Sequence, residues 1–169
     1  MKKQVVIIHG GSTYDSYRQY LTSLTQKNLD WGRITEKKWR DRIAQKLGSN
    51  FETVLPVMPN SNNAKYAEWK IWFKKIEPFL RNGVVLVGHS LGGIFLAKYL
   101  SENRFSKKIS TTFLVAAPFD DKGEKDSLAD FILPKDISRF QKQGGEIFLY
   151  YSTDDTVVPF SHLGKYKKA

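Results

Sequence analysis

The chain has no cysteine and only two methionines among 169 residues. Without thiols there are no disulfides and no thiolate metal ligands, and a reducing compartment, the cytoplasm, is expected. Long apolar runs are missing as well. None approaches the roughly 20 residues that cross a bilayer. The run after Met1-Lys2-Lys3-Gln4 is too short for a signal-peptide core, so Val5 to Ile8 reads as a strand. Histidine is scarce, at three, and acidic residues are outnumbered 17 to 27, leaving a net charge of +10. An excess of that size raises the question of nucleic acid. The lysines, however, fall along expected helices (Lys37, Lys38, Lys46; Lys70, Lys74, Lys75) at the spacing of solvated faces. No basic cluster is interleaved with exposed aromatics, so no nucleic-acid partner is expected and the charge is read as solvated surface. No pattern bears on the oligomeric state.

What remains is an ordinary globular composition, 41% hydrophobic and 26% charged, in a length that suits one domain over residues 1–169. Strand-like runs occur at Gln4–His9, Phe51–Val57, Val84–Gly88, Ser110–Ala116 and Glu146–Tyr151. Between them lie helical patterns: Thr35–Leu47 with Trp39, Ile43, Ala44 and Leu47, then Ala64–Leu80 with Trp69, Trp72, Phe73 and Ile76 on one stripe. Further helices are expected at Leu91–Ser101, Pro134–Gln143 and from His162 onward, with an irregular one in Ser12–Leu29. Strands alternating with helices imply a three-layer α/β/α sandwich around a mostly parallel five-stranded sheet. Right-handed crossovers favour the order second, first, third, fourth, fifth, with a crevice where that order reverses.

The sharpest local signal is Gly88-His89-Ser90-Leu91-Gly92-Gly93, between the apolar run Val84–Val87 and the helix that follows. Strand, G-x-S-x-G, helix places a serine on a strained turn with its hydroxyl presented at the carboxyl end of the sheet. Ser90 is therefore the candidate nucleophile. The amide of Leu91 and that of Gly11, in His9-Gly10-Gly11 after the first strand, are the candidate oxyanion donors, with His9 and Gly10 supporting that loop. Asp155, four residues before Pro159 in the loop after the fifth strand, is the candidate acid, and Asp154 is the second choice. The acidic stretch Phe119–Leu133 reads as a solvated connection or, from its position, as a flap over the serine.

With those residues in view, the chain resembles an α/β-hydrolase, and among these it is similar to the small, lidless serine hydrolases of the retinoblastoma-binding-protein-9 type. The pieces that carry the likeness are His9-Gly10-Gly11, Pro56-Val57-Met58-Pro59-Asn60 with Trp69 downstream, Gly88 to Gly93, Ala116-Ala117-Pro118 and Ser152 to Pro159. The resemblance implies hydrolysis of an ester, thioester or amide of a small acyl substrate by a Ser-His-Asp triad, with no metal and no cofactor. It also implies a helix, a strand and a Gly-His loop after the acid, whereas the sequence stops at Ala169, partway along that helix. A C-terminally incomplete chain, its core lacking the last strand, is the first expectation. A chain naturally without its base is the second, and recruitment of His162 is the third. His162, near a helix start, is expected as a surface or capping residue. A non-catalytic binding module of the same fold is the alternative function.

Overall fold

The computed structural model describes residues 2–35, 39–124 and 126–169. Five parallel strands form one sheet: β1 (Lys3–Ile8), β2 (Phe51–Val54), β3 (Val84–His89), β4 (Ile109–Val115) and β5 (Glu146–Tyr150), in the order β2-β1-β3-β4-β5. This is the order the sequence implies. The reversal between β1 and β3 opens a crevice at their carboxyl ends.

The helices are α1 (Tyr17–Gln26), α2 (Trp31–Thr35), α3 (Trp39–Leu47), α4 (Tyr66–Ile76), α5 (Leu91–Glu102), α6 (Ser138–Gln143) and α7 (Ser161–Lys168). Ten of the twelve residues of α5 are buried, which makes it the central helix of one face. There its Phe95 and Tyr99 meet Trp69 and Phe73 of α4, with ring centroids 5.0–5.6 Å apart. Phe131 closes the cluster 5.2 Å from Trp69. The smaller core on the opposite face is Val5, Ile7 and Val85, with Trp39, Leu47 and Phe113 packed against it. Buried Glu77 ties the first face together, accepting from the Tyr99 hydroxyl at 2.7 Å and from the Ser106 amide at 2.7 Å.

Several elements differ in extent from expectation. The helix expected to Leu80 ends at Ile76 and tightens into a 3₁₀ turn, Glu77–Phe79, at Pro78, which lacks the amide donor an α-helix needs. Trp72 points outward, since the inward stripe runs through Tyr66, Trp69 and Phe73. The second strand stops at Val54, before the proline-bounded loop. Of the expected helix Thr35–Leu47, the described residues place Thr35 at the end of α2 and Trp39–Leu47 in α3, with Ile43 exposed. Residues 36–38 and the Ala44 side chain lie outside the described residues. Among the described residues no helix is long and apolar enough to cross a membrane.

Candidate active site

The run of β3 into α5 turns at Ser90, whose backbone sits at φ 52°, ψ −124°. That region is nearly closed to residues with a Cβ, and such strain persists only where the surroundings fix it. Here they do. The Ser90 amide donates to the Val115 carbonyl at 2.9 Å, and the Gly93 amide donates to the Ser90 carbonyl at 2.8 Å. The helix start then lies directly on the end of β1. A Cβ on Gly92 would sit 2.4 Å from the Ile8 carbonyl oxygen, and one on Gly88 would sit 2.5 Å from that of Gly92. The glycines of the motif are thus close-approach positions. Among the described residues no side chain hydrogen-bonds the Ser90 hydroxyl.

The loop after β1 runs beside this turn. Gly11 approaches so closely that a Cβ there would meet the Ser61 carbonyl oxygen at 2.6 Å, and Ser12 pairs with Ser61 and Ala64 through backbone bonds of 2.9 and 2.8 Å. His9, buried and edge-on to Trp69, pins the loop from below. Its Nε2 accepts from the Met58 amide at 2.9 Å, which leaves the proton on Nδ1 to donate to the Gly10 carbonyl at 2.6 Å. The amides of Gly11 and Leu91 have no acceptor among the described residues. Both residues line, with Ser90, a cleft of about 370 Å³.

On the far side of the cleft stand Pro118, Glu124, Leu128 and the segment Thr156–Pro159. Asp155 is half-buried just before that segment and does not itself line the cleft. Its Oδ1 accepts from the Val157 and Val158 amides at 2.8 and 3.0 Å, an arrangement that fixes the carboxylate in place. Its charge reaches His89. Burial pushes the His89 imidazole below its usual pKa, and the Asp155 carboxylate opposes that shift. Asp154 is exposed and takes the Ser152 hydroxyl instead. His89 packs edge-on against Trp39, with centroids 5.2 Å apart.

His162 overturns its sequence expectation: it is fully buried, neither a surface residue nor a cap, and it lines the same cleft. Its Nδ1 accepts from the Phe119 amide at 2.8 Å, so the proton resides on Nε2, 3.3 Å from Glu124 Oε1. A ring so held has no lone pair to offer a serine. What buries it is α7, whose Tyr166 packs against Phe119 with centroids 4.9 Å apart and donates to the Pro118 carbonyl at 2.9 Å. The acidic segment is likewise no plain solvated connection. Burial pushes the Asp120 carboxyl up, but the Lys165 ammonium at 2.7 Å and the Lys122 amide hold it, on balance, below the usual range. Asp121 accepts from the Leu128 amide, and Asp130 caps α4 by accepting from the Tyr66 amide, each at 2.9 Å. Ser127 donates to Asp15 at 2.6 Å, and its carbonyl receives the Thr13 hydroxyl, which joins the two rims of the cleft. Sequence reasoning missed this network. The only signal for it was the density of Asp and Glu in a loop beside the strand that leads to Ser90.

Among the described residues no group of three or more His, Asp or Glu side chains is arranged to hold a metal ion.

The family model described as serine hydrolase matches residues 29–169. No curated protein matches the chain. Among solved structures it is similar to the ydeN gene product from B. subtilis, with a TM-score of 0.70 and 20% identity over 99% of this chain and 80% of that one. It is also similar to a lipase/esterase from Lactobacillus plantarum, with a TM-score of 0.52 and 16% identity over 99% of this chain and 72% of that one. Both likenesses are of fold, the α/β-hydrolase fold.

Proposed function

The chain belongs to the serine hydrolase family, and we propose that it cleaves an ester, thioester or amide of a small acyl substrate with Ser90 as its nucleophile. Within the family we assign it to the small, lidless type resembling retinoblastoma-binding-protein-9, and to the cytoplasm. One observation carries the reading: a strained serine lining an open cleft together with two residues whose amides have no acceptor among the described residues. In the proposed reaction the Ser90 oxygen attacks the carbonyl carbon of the acyl group. The negative charge that moves onto the carbonyl oxygen is received by the Gly11 and Leu91 amides, aided by the dipole at the start of α5. The carbonyl re-forms as the alcohol, thiol or amine departs carrying the proton given up by the Ser90 hydroxyl, and water then releases the acid from the acyl-serine and restores that hydroxyl. Asp155, its Oδ1 already held by two amides, has its second oxygen to orient a base.

The base is the unfilled role. His9 holds the loop, His89 faces Trp39, and His162 spends its Nδ1 on Phe119. A serine supported by oxyanion donors alone turns over on the order of 10⁴-fold or more below a full triad. That same observation favours a second reading, a binding module that holds an acyl ligand in the cleft without cleaving it. A fluorophosphonate probe separates the two. The proposed reading expects covalent labelling of the parent that is absent in Ser90→Ala, together with slow p-nitrophenyl butyrate hydrolysis that Ser90→Ala removes. Equal rates and equal labelling in the two proteins overturn the nucleophile assignment. A parent that binds a butyrate ester but never labels supports the binding module.

A further inference from the structure

We propose that the amino end of the sheet, opposite the end that carries Ser90, is a binding face for single-stranded nucleic acid. This inference stands apart from the hydrolytic reading. In sequence order the cations concerned lie in dispersed segments, and no nucleic-acid partner is expected from them. Five parallel strands bring those segments together, because all the strands enter at one end. Lys2 and Lys3 open β1, and Arg81 leads into β3. Arg104, Lys107 and Lys108 lead into β4, and Lys142 stands in the last turn of α6 before β5. Bonds between the entries fix them side by side. The buried Gln4 side chain donates to the Phe79 carbonyl at 3.4 Å and accepts from the Arg81 amide at 2.7 Å. The Gly83 amide donates to the Lys108 carbonyl at 2.7 Å, and the Lys108 amide donates to the Asn82 side-chain oxygen at 2.8 Å. An open hollow of about 390 Å³ lies between them, lined by Lys2, Lys3, Arg81, Asn82 and Ser110.

Charge and ring placement select the occupant. The carboxylates at this end are mostly spent: Glu52 on Arg81 and Gln4, Glu77 on Tyr99 and the Ser106 amide, and Glu102 on Lys98 and Tyr66, which leaves Glu146. Lys3, Arg104, Lys107 and Lys108 make no ion pair among the described residues. Neighbouring strands lie about 4.8 Å apart, so the entries of β1, β3, β4 and β5 span about 14 Å. That is the reach of about four phosphates, at about 3.4 Å each along one strand. Aromatic rings accompany the charge. Trp72 and Phe79, 45% and 79% exposed, stand outward on α4 and the 3₁₀ turn after it, with exposed Lys74 and Lys75 between them. Exposed rings among cations are stacking platforms for unpaired bases. A duplex keeps its bases stacked on one another and has none to offer. A bilayer surface takes up a continuous apolar face, whereas lysines interrupt the rings here. A second copy of the chain would bring the same sign of charge to the contact.

The test is fluorescence anisotropy of a fluorescein-labelled oligothymidylate of about 16 nucleotides, titrated with the full chain at several salt concentrations. Binding is expected, and it should weaken with salt at a log–log slope of about −3, the value for about four phosphate contacts. The double variant Lys107→Gln, Lys108→Gln is expected to flatten that slope by about 1.4. Phe79→Ala is expected to weaken binding about tenfold and leave the slope unchanged. Both variants alter surface side chains and are expected to melt like the parent. Ser90→Ala is expected to bind as the parent does, so failure of the hydrolytic reading leaves this result untouched. Any of these results overturns the proposal: no binding to the oligothymidylate, binding that Phe79→Ala does not alter, or a double variant that keeps the parent's salt slope. Equal affinity for the same strand annealed to oligoadenylate, or for phosphatidylglycerol vesicles, overturns it as well.

Discussion

Where β1 and β3 wall the cleft, backbone rests on backbone: the start of α5 touches the end of β1 at Gly92, and Gly11 touches the Ser61 carbonyl. Where β4 and β5 wall it, side chains do the joining, through Glu124, His162, Lys165, Asp120 and Tyr166. The first wall presents to the cleft a hydroxyl and two amides that have no partner among the described residues. The second has polar groups of the right kinds, but most are committed to one another. A catalytic site needs groups that are fixed and yet unspent, and in this molecule close packing achieves that better than a polar network does. The contrast explains why a buried histidine beside the cleft is not thereby a base.

The contrast can be broken most decisively at Gly92. Ala there places a methyl 2.4 Å from a carbonyl oxygen that cannot withdraw, and a loss of about 3 kcal/mol is expected in urea denaturation. A loss below about 1 kcal/mol shows that the wall yields and the close-packing argument is wrong. A smaller effect is expected on the polar wall. His162→Leu orphans the Phe119 amide and removes the partner of Glu124, with an expected loss of about 2 kcal/mol. Labelling of Ser90 by the fluorophosphonate should survive that substitution; a base would take it away.

The smallest effect sits where the two walls meet, at His89. Burial favours its neutral form in the folded state, so the unfolded chain takes up the proton first as the pH falls. The stability due to His89 is therefore complete above about pH 6.5 and declines as the pH drops from there towards the lower folded-state value. Asp155→Asn removes the opposing charge and should lower the His89 titration midpoint further, as followed by proton NMR of the imidazole. An unchanged midpoint would separate Asp155 from the neighbourhood of His89 and the proposed nucleophile, Ser90.

How much of this was legible beforehand divides along the same line. Strand order and elbow were readable because unbroken β-branched runs and glycines at fixed offsets reflect constraints local in sequence. The outward turn of Trp72 was less readable, since residues 69, 72 and 73 share an apolar arc whose edge is set by what the sheet offers. The burial of His162 was not readable, because it depends on Tyr166 reaching Phe119 and Pro118, more than forty positions away. The role of the Asp-rich segment was hidden for the same reason: carboxylates in a loop look alike until their partners are in place.

The backbone angles of residue 90 have one more consequence. Glycine, and to a lesser degree asparagine, tolerates a positive φ with less strain than serine, by about 1 kcal/mol or more, and neither carries a hydroxyl. At this position robustness and the proposed reactivity pull in opposite directions, so the residues that would relax the turn are the ones that would remove its hydroxyl.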